Sequence, residues 1–135
     1  MSSLEPENTA QLGSSPCAAD TTIAELQKWV DRFAEDRDWE RFHTPKNLAM
    51  SVAIEAAEIM ELFQWVDGQA GMERQAADSP VAEELADVLS YLLRLASVLQ
   101  IDLVQAMALK TKKNAIKYPP LSQSVVDRTE TKSNQ

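Results

Sequence analysis

Apolar residues recur at the spacing of an α-helix in four segments of the chain. The first segment begins at Thr22, where Glu25 three residues later completes a capping-box pattern, and it continues to about Asp36. The second segment follows Thr44–Pro45, which is typical of an N-cap with proline at the first helical position. This pattern predicts a second helix that runs to about Val66.

Two further helices are predicted in the second half of the chain. Ser79–Pro80 repeats the start signal, and the third helix runs to about Leu99. Asp102 can cap a fourth helix that ends before Pro119–Pro120. Residues 37–43 are both polar and aromatic, without a clear period, and indicate a loop or a short turn of helix. No segment alternates as a strand does, so the sequence predicts an all-α, four-helix bundle.

Composition predicts one folded domain between two polar tails. The chain has 135 residues, and we expect the domain to span residues 20–119, with flexible tails at 1–19 and 120–135. The formal charge of −8 argues against binding to polymeric nucleic acid. No apolar run reaches the roughly 18 uncharged residues of a membrane span. Cys17 is the only cysteine, which favours a reducing compartment, and we expect a cytoplasmic protein.

Two pairs of acidic residues interrupt the apolar second and third helices. Glu55 and Glu58 form one pair and Glu84 and Asp87 the other, and each spacing puts both carboxylates on one helical face. The acids could be exposed or salt-bridged, yet Arg94 is the only basic residue around them within these helices. The other interpretation is a shared divalent cation. All-oxygen ligands without histidine or cysteine favour Mg²⁺ or Mn²⁺ over zinc.

The acid pairs and their flanking residues resemble a known family. Glu55-Ala-Ala-Glu58 followed by Glu84-Leu-Ala-Asp87 is similar to the metal motif of the MazG-like all-α nucleoside triphosphate pyrophosphohydrolases. The stretches at residues 37–43, 45–48, 61–65 and 117–119 are similar to the dCTP pyrophosphatase branch of that family. The resemblance covers about residues 22–119.

The resemblance implies cleavage between the α and β phosphates of a nucleoside triphosphate. It makes Glu55, Glu58, Glu84 and Asp87 the expected ligands of Mg²⁺, with Mn²⁺ as the alternative. A bound cation would let a highly anionic triphosphate approach four carboxylates. Glu55 lies within the apolar stripe of its helix, and we interpret it as the group that activates water.

Aromatic residues are the expected contacts of the base. The resemblance implies that Trp39 and Trp65 lie near a base pocket, although such residues are more often part of a core. Tyr91 lies one helical turn beyond Asp87, within reach of sugar or phosphate. His43 is the only histidine and is either a ligand contact or a surface residue. Val30 stands where the cytosine-selective relatives are expected to have a polar, base-reading residue.

Basic residues on the last helix are the expected phosphate contacts. Lys110, Asn114 and Lys117 lie on one helical face, and the alternative is a solvated basic face that favours the helix C-terminus. We also expect a dimer or tetramer, because the second helix is apolar on nearly all sides.

We therefore expect a Mg²⁺-dependent pyrophosphohydrolase that acts on dCTP or related pyrimidine nucleotides and cleanses the nucleotide pool. The alternatives are a broad-specificity or dUTP-preferring enzyme and a non-catalytic helical oligomerisation module.

Overall fold

The computed structural model describes residues 18–121, apart from the side chain of Ala70. Within these residues there are no strands, which confirms the all-α prediction. Two short 3₁₀ turns accompany the α-helices, at Glu40–Phe42 and Gly68–Gly71. The α-helices are, in chain order, α1 (Ile23–Glu35), α2 (Pro45–Phe63), α3 (Pro80–Val98) and α4 (Leu103–Lys117).

Each α-helix begins at the side chain that the sequence predicts as its cap. A capping side chain accepts a hydrogen bond from a backbone N–H of the first turn, which would otherwise have no partner in the helix. In α1 the bond is reciprocal, because the carboxylate of Glu25 accepts from the backbone N–H of Thr22. The four caps are Thr22, Thr44, Ser79 and Asp102.

The second helix ends earlier than the sequence predicts. Its last residue is Phe63 rather than about Val66. The N–H of Gln64 donates to the carbonyl of Glu61, so the chain tightens into a turn instead of continuing the helix. Gly68 then adopts a left-handed conformation, with φ of 56°, which glycine accepts without a steric penalty.

The helices fall into two compact units that divide after Gln100. The first unit contains α1, α2 and α3, and the second contains α4. In the first unit α3 packs against both α1 and α2. The apolar side chains buried there are Ala34 on α1, Leu48 on α2, and Leu93 and Ala96 on α3. The helix α3 is therefore the central element of this unit.

The second helix, which the sequence predicts to be apolar on nearly all sides, is not largely buried within a single chain. Leu48 is its only buried residue. Met50 and Ile54 are each 54% exposed and Met60 is 71% exposed. Of the helices in this unit, only α3 packs closely on α2, so the remaining faces of α2 stay in contact with solvent.

Two predictions concern the ends of the chain and the membrane. The predicted tails lie almost entirely in residues 1–17 and 122–135, outside the described part, so the domain limits of 20 and 119 stay predictions.

Among the described residues, no single helix is both long and apolar enough to cross a membrane. Only α3 and α4 counted together across the break between them reach that length and composition.

Candidate metal centre and adjoining cavity

Three carboxylates from α2 and α3 converge in the first unit. One oxygen from each of Glu55, Glu58 and Glu84 lies within 4.8 Å of the others. They meet because the two acids of α2 share a helical face, and α2 packs against α3. Asp87 lies outside this tight group, yet its charge acts on both Glu55 and Glu84. We call the four residues the acid group.

Burial and mutual repulsion oppose ionisation within the acid group. Burial raises the pKa of Glu55, and the charges of Glu58 and Asp87 raise it further. Burial also raises the pKa of Glu84, and the neighbouring carboxylates add to the shift. Ionising these carboxylates therefore reduces the stability of the folded chain.

One oxygen of the acid group has no partner. Oε2 of Glu84 is buried and accepts no hydrogen bond from a described residue. A buried acceptor without a partner costs roughly 1–3 kcal/mol, and more when it is charged. A hard divalent cation would supply the missing partner, since such ions bind carboxylate oxygens. The residues present therefore fit a divalent metal ion.

Basic side chains do not neutralise the acid group in residues 18–121. The ion pairs there join Arg41 to Asp38, and Arg94 to Asp31 and Glu40. The interpretation of the acids as salt-bridged residues has no support in these contacts.

A cavity of about 320 Å³ lies beside the acid group, between α1, the segment 37–43 and α3. Its volume is at the lower end of the range of roughly 300–1,000 Å³ found for small-molecule sites. Aromatic side chains dominate its wall, and the polar groups lie mainly on α3. The lining residues are Trp29, Val30, Phe33, Ala34, Trp39, His43, Asp87, Ser90, Tyr91 and Arg94.

The turn after α1 brings Trp39 to the cavity. Asp38 has a φ of 54°, a left-handed conformation that aspartate tolerates better than most residues. The backbone N–H of Trp39 then donates to the carbonyl of Ala34 over 3.0 Å, which returns the chain to α1. As a result the ring of Trp39 packs edge-on against Phe33 at 5.7 Å and against His43 at 6.1 Å between ring centres.

Arg94 joins the walls of the cavity. It is only 6% exposed. Its Nη1 donates to Oδ1 of Asp31 over 2.7 Å, and its Nε donates to Nδ1 of His43 over 3.1 Å. A longer contact of 3.4 Å runs from Nη2 to Oε1 of Glu40. The guanidinium therefore connects α3 with α1 and with the 3₁₀ turn.

One face of α3 links the cavity with the acid group. Glu84, Asp87, Tyr91 and Arg94 are spaced by three, four and three residues, which places them on one side of the helix. They span about 15 Å along the axis. Asp87 belongs to both sites, since it lines the cavity and acts electrostatically on Glu55.

The predicted substrate residues are only partly brought together. Trp39, His43 and Tyr91 all line the cavity. Trp65 is 87% exposed, lies beyond the end of α2 and does not line it. Val30 lines the cavity and offers it no polar side-chain group.

The predicted phosphate contacts all lie in the second unit. Lys110, Asn114 and Lys117 are exposed on α4, where their spacing puts them on one face. The roles of all these residues stay predictions.

Arg94 is the residue whose role the sequence did not reveal. It was visible there only as a basic residue near the acids, whereas its partners Asp31 and His43 are 63 and 51 residues away along the chain. The available signal was its position seven residues after Asp87, on the face that carries the acids.

The fold and the site together define a class: a helical protein with a carboxylate cluster, suited to a divalent metal ion, beside an aromatic cavity. Residues 50–129 match the MazG-like family, and the chain belongs to that family.

Similar proteins cover most of this chain. It is 38% identical to human dCTP pyrophosphatase 1 over 116 residues, which are 84% of this chain and 68% of the human protein. It is 36% identical to the bovine protein of the same name over 116 residues, 84% of this chain and 69% of the bovine one. The crystal structure of a pyrophosphatase from Archaeoglobus fulgidus superposes with a TM-score of 0.66 and 38% identity, covering 77% of this chain and 98% of that chain.

The environment of His43 predicts a pH dependence of stability. Burial lowers the pKa of His43, and the charge of Arg94 lowers it further, while Glu40 opposes the shift. The unfolded chain then binds a proton more readily than the folded one. Stability from this residue is present above about pH 6.5 and is lost as the pH falls through the folded-state pKa.

We expect His43→Asn to show a smaller loss of stability than the wild type over this acidic interval, measured by urea unfolding at each pH. The raised pKa values of Glu55 and Glu84 favour the folded state as the pH falls, which is the opposite effect. Both carboxylates are present in the wild type and in the variant, so the difference in stability between the two chains isolates the effect of His43. If the free energy of unfolding changed with pH in the same way for both chains, the lowered pKa of His43 would be contradicted.

Proposed function

We propose that this MazG-like protein is a nucleoside triphosphate pyrophosphohydrolase that cleaves dCTP or related pyrimidine nucleotides between the α and β phosphates. The observation that carries the proposal is the junction at Asp87, where an aromatic cavity meets a group of carboxylates. One site suits a base and the other suits metal-bound phosphates. The names of the similar human and bovine proteins support both the reaction and the nucleotide.

The cavity is the proposed binding site of the nucleobase. Trp29, Phe33 and Trp39 offer flat apolar surfaces against which a base can pack. Tyr91, on the side of the cavity nearer the acid group, is proposed to contact sugar or phosphate. A base in the cavity would direct its triphosphate towards Asp87.

The acid group is the proposed magnesium site. Glu55, Glu58, Glu84 and Asp87 would hold Mg²⁺, with Mn²⁺ as the alternative. When bound, the metal neutralises phosphate charge and stabilises the charge that develops during hydrolysis. The carboxylates would hold the cation at the end of the cavity from which the phosphates would extend.

Glu55 is the proposed general base. It is half-buried, whereas Glu58 on the same face is exposed, so its carboxylate is better shielded from competing water. In the reaction a water oxygen bonds to phosphorus as the bridging P–O bond between the α and β phosphates breaks. The water proton passes to the carboxylate, and the products are a nucleoside monophosphate and pyrophosphate.

The remaining predicted contacts complete the proposal. Lys110, Asn114 and Lys117 are exposed donors on one face of α4, which suits phosphate oxygens. Trp65 is retained as a proposed base contact because its indole is almost fully exposed.

A broader or dUTP-preferring specificity is the second candidate. Val30 favours it, because a valine in the cavity wall cannot form hydrogen bonds that distinguish cytosine from uracil.

We also propose that two copies associate through α2. Met50, Ile54 and Met60 are each more than half exposed. Several exposed apolar side chains on one helix are typical of a protein interface. A second copy is the proposed occupant because each copy carries the same apolar helix.

A panel of nucleoside triphosphates tests the reaction. With Mg²⁺, we expect release of pyrophosphate rather than phosphate, fastest with dCTP or another pyrimidine nucleotide. We expect Glu55→Gln to lower kcat by about 10²–10⁴-fold, the usual contribution of a general base. Glu83→Gln is the matched control, because Glu83 is exposed and outside the acid group. Release of single phosphates, or normal turnover by Glu55→Gln, would refute the proposal.

Thermal unfolding with and without Mg²⁺ tests the metal site. Without metal, Glu84→Gln should raise the Tm, because it removes repulsion and a carboxylate oxygen without a partner. With Mg²⁺ the wild type should gain more stability than this variant, and the apparent Mg²⁺ affinity of the variant should fall by at least about tenfold. Glu83→Gln should respond to Mg²⁺ like the wild type. If Mg²⁺ raised the Tm of all three chains equally, the proposed magnesium site would be contradicted.

Light scattering tests self-association. We expect the mass of a dimer or tetramer for the wild type and a smaller species for Met60→Glu, since a charge in an apolar interface opposes association. Met72→Glu is the control, because Met72 is at least as accessible as Met60 but lies outside α2. A monomeric wild type at micromolar concentration would rule the interface out.

A further inference from the structure

His43 receives a hydrogen bond from a guanidinium whose position the fold determines. Nε of Arg94 lies 3.1 Å from Nδ1 of His43. Arg94 is held in turn by the 2.7 Å contact with Oδ1 of Asp31. The other oxygen of Asp31 accepts from the hydroxyl of Ser97, also over 2.7 Å. The direction of the Nε–H bond is therefore set by α1 and α3.

This hydrogen bond decides which nitrogen of His43 carries the proton. A guanidinium donates and never accepts, so Nδ1 has to offer its lone pair. In the neutral ring the proton then resides on Nε2. Among residues 18–121 no group receives a hydrogen bond from Nε2, and the ring lines the cavity. The imidazole thus has one unused N–H donor.

We infer that Arg94 is a positioning residue that makes His43 present an Nε2–H donor in the cavity, where it reads an acceptor atom of the bound base. The nature of the ligand rests on the proposed function, whereas the proton position is a property of the free protein. The acceptor is a carbonyl oxygen or an unprotonated ring nitrogen on the edge of a pyrimidine.

Two other polar residues in the lining cannot supply this donor. The hydroxyl of Ser90 already donates to the carbonyl of Ala86 over 2.8 Å. An ionised Asp87 carboxylate can only accept. A donor at His43 would give the cavity a selective contact that the valine at position 30 does not provide.

The proton position can be measured without any nucleotide. The chain has one histidine, so the ring nitrogens of full-length protein labelled with ¹⁵N-histidine need no further assignment. At a pH where the ring is neutral, we expect solely the Nε2–H form in the wild type. In Arg94→Gln the Nδ1–H form should appear as well, while Arg41→Gln, which alters an exposed arginine paired with Asp38, should match the wild type. An Nδ1–H form in the wild type would overturn the inference. The inference would also be overturned if the proton of His43 stayed solely on Nε2 in Arg94→Gln.

Two substitutions of His43 separate its two nitrogens, and they serve even if Arg94→Gln does not fold. Asparagine keeps an acceptor near the Nδ1 position but has no donor at the distal position, whereas glutamine places an amide N–H near the Nε2 position. We expect His43→Asn to raise the KM for dCTP about tenfold with little change in kcat, the effect of one lost hydrogen bond. His43→Gln should restore a KM close to that of the wild type.

Equal KM values for the two variants, or a loss in kcat alone, would overturn the proposed hydrogen bond from His43 to the base. Failure of the proposed function has a different signature. In that case the wild type itself turns over no nucleotide, while the ¹⁵N measurement still reports the proton position.

Discussion

A guanidinium that has almost no contact with solvent determines how the first unit is assembled. Arg94 lies in the C-terminal part of α3 and is neutralised by Asp31 from α1 and by Glu40 from the 3₁₀ turn. Separating a buried charge from its partners typically costs about 3–5 kcal/mol. The helix α1 and the segment that carries His43 are therefore held against α3, and the cavity between them is held open with its aromatic wall in place.

The same arrangement explains why the acid group lacks compensation. Arg94 follows the acids along the same face of α3, and its donors bind Asp31 and His43 instead of the acid group. Burial then raises the pKa of Glu55 and of Glu84, and one oxygen of Glu84 has no partner among residues 18–121. Such a site reduces the stability of the chain by itself, and a bound cation would stabilise it. Function is the usual reason for keeping a destabilising cluster of this kind.

Patterns within single helices, together with the family resemblance, predicted part of the site. Glu55, which the sequence places within the apolar stripe of its helix, is half-buried, as is Glu84. Trp39, for which the family resemblance implies a place near a base pocket, lines the cavity. So does His43, for which the sequence allowed either a ligand contact or a surface position, and Tyr91 lies one turn beyond Asp87 as its spacing requires. The end of α2 was misplaced, because the apolar pattern continues through Val66 while the backbone has already turned at Gln64.

By itself the sequence determined the helices, their caps and the pairing of the acids within each helix. These features depend on contacts between residues three or four positions apart, which the chain order specifies directly. Only the tertiary structure decided that Arg94 binds Asp31 and His43 rather than the acids, and that Asp87 belongs both to the cavity and to the acid group. Those contacts join residues dozens of positions apart. They depend on how α1 and α2 pack against α3, which no local pattern records.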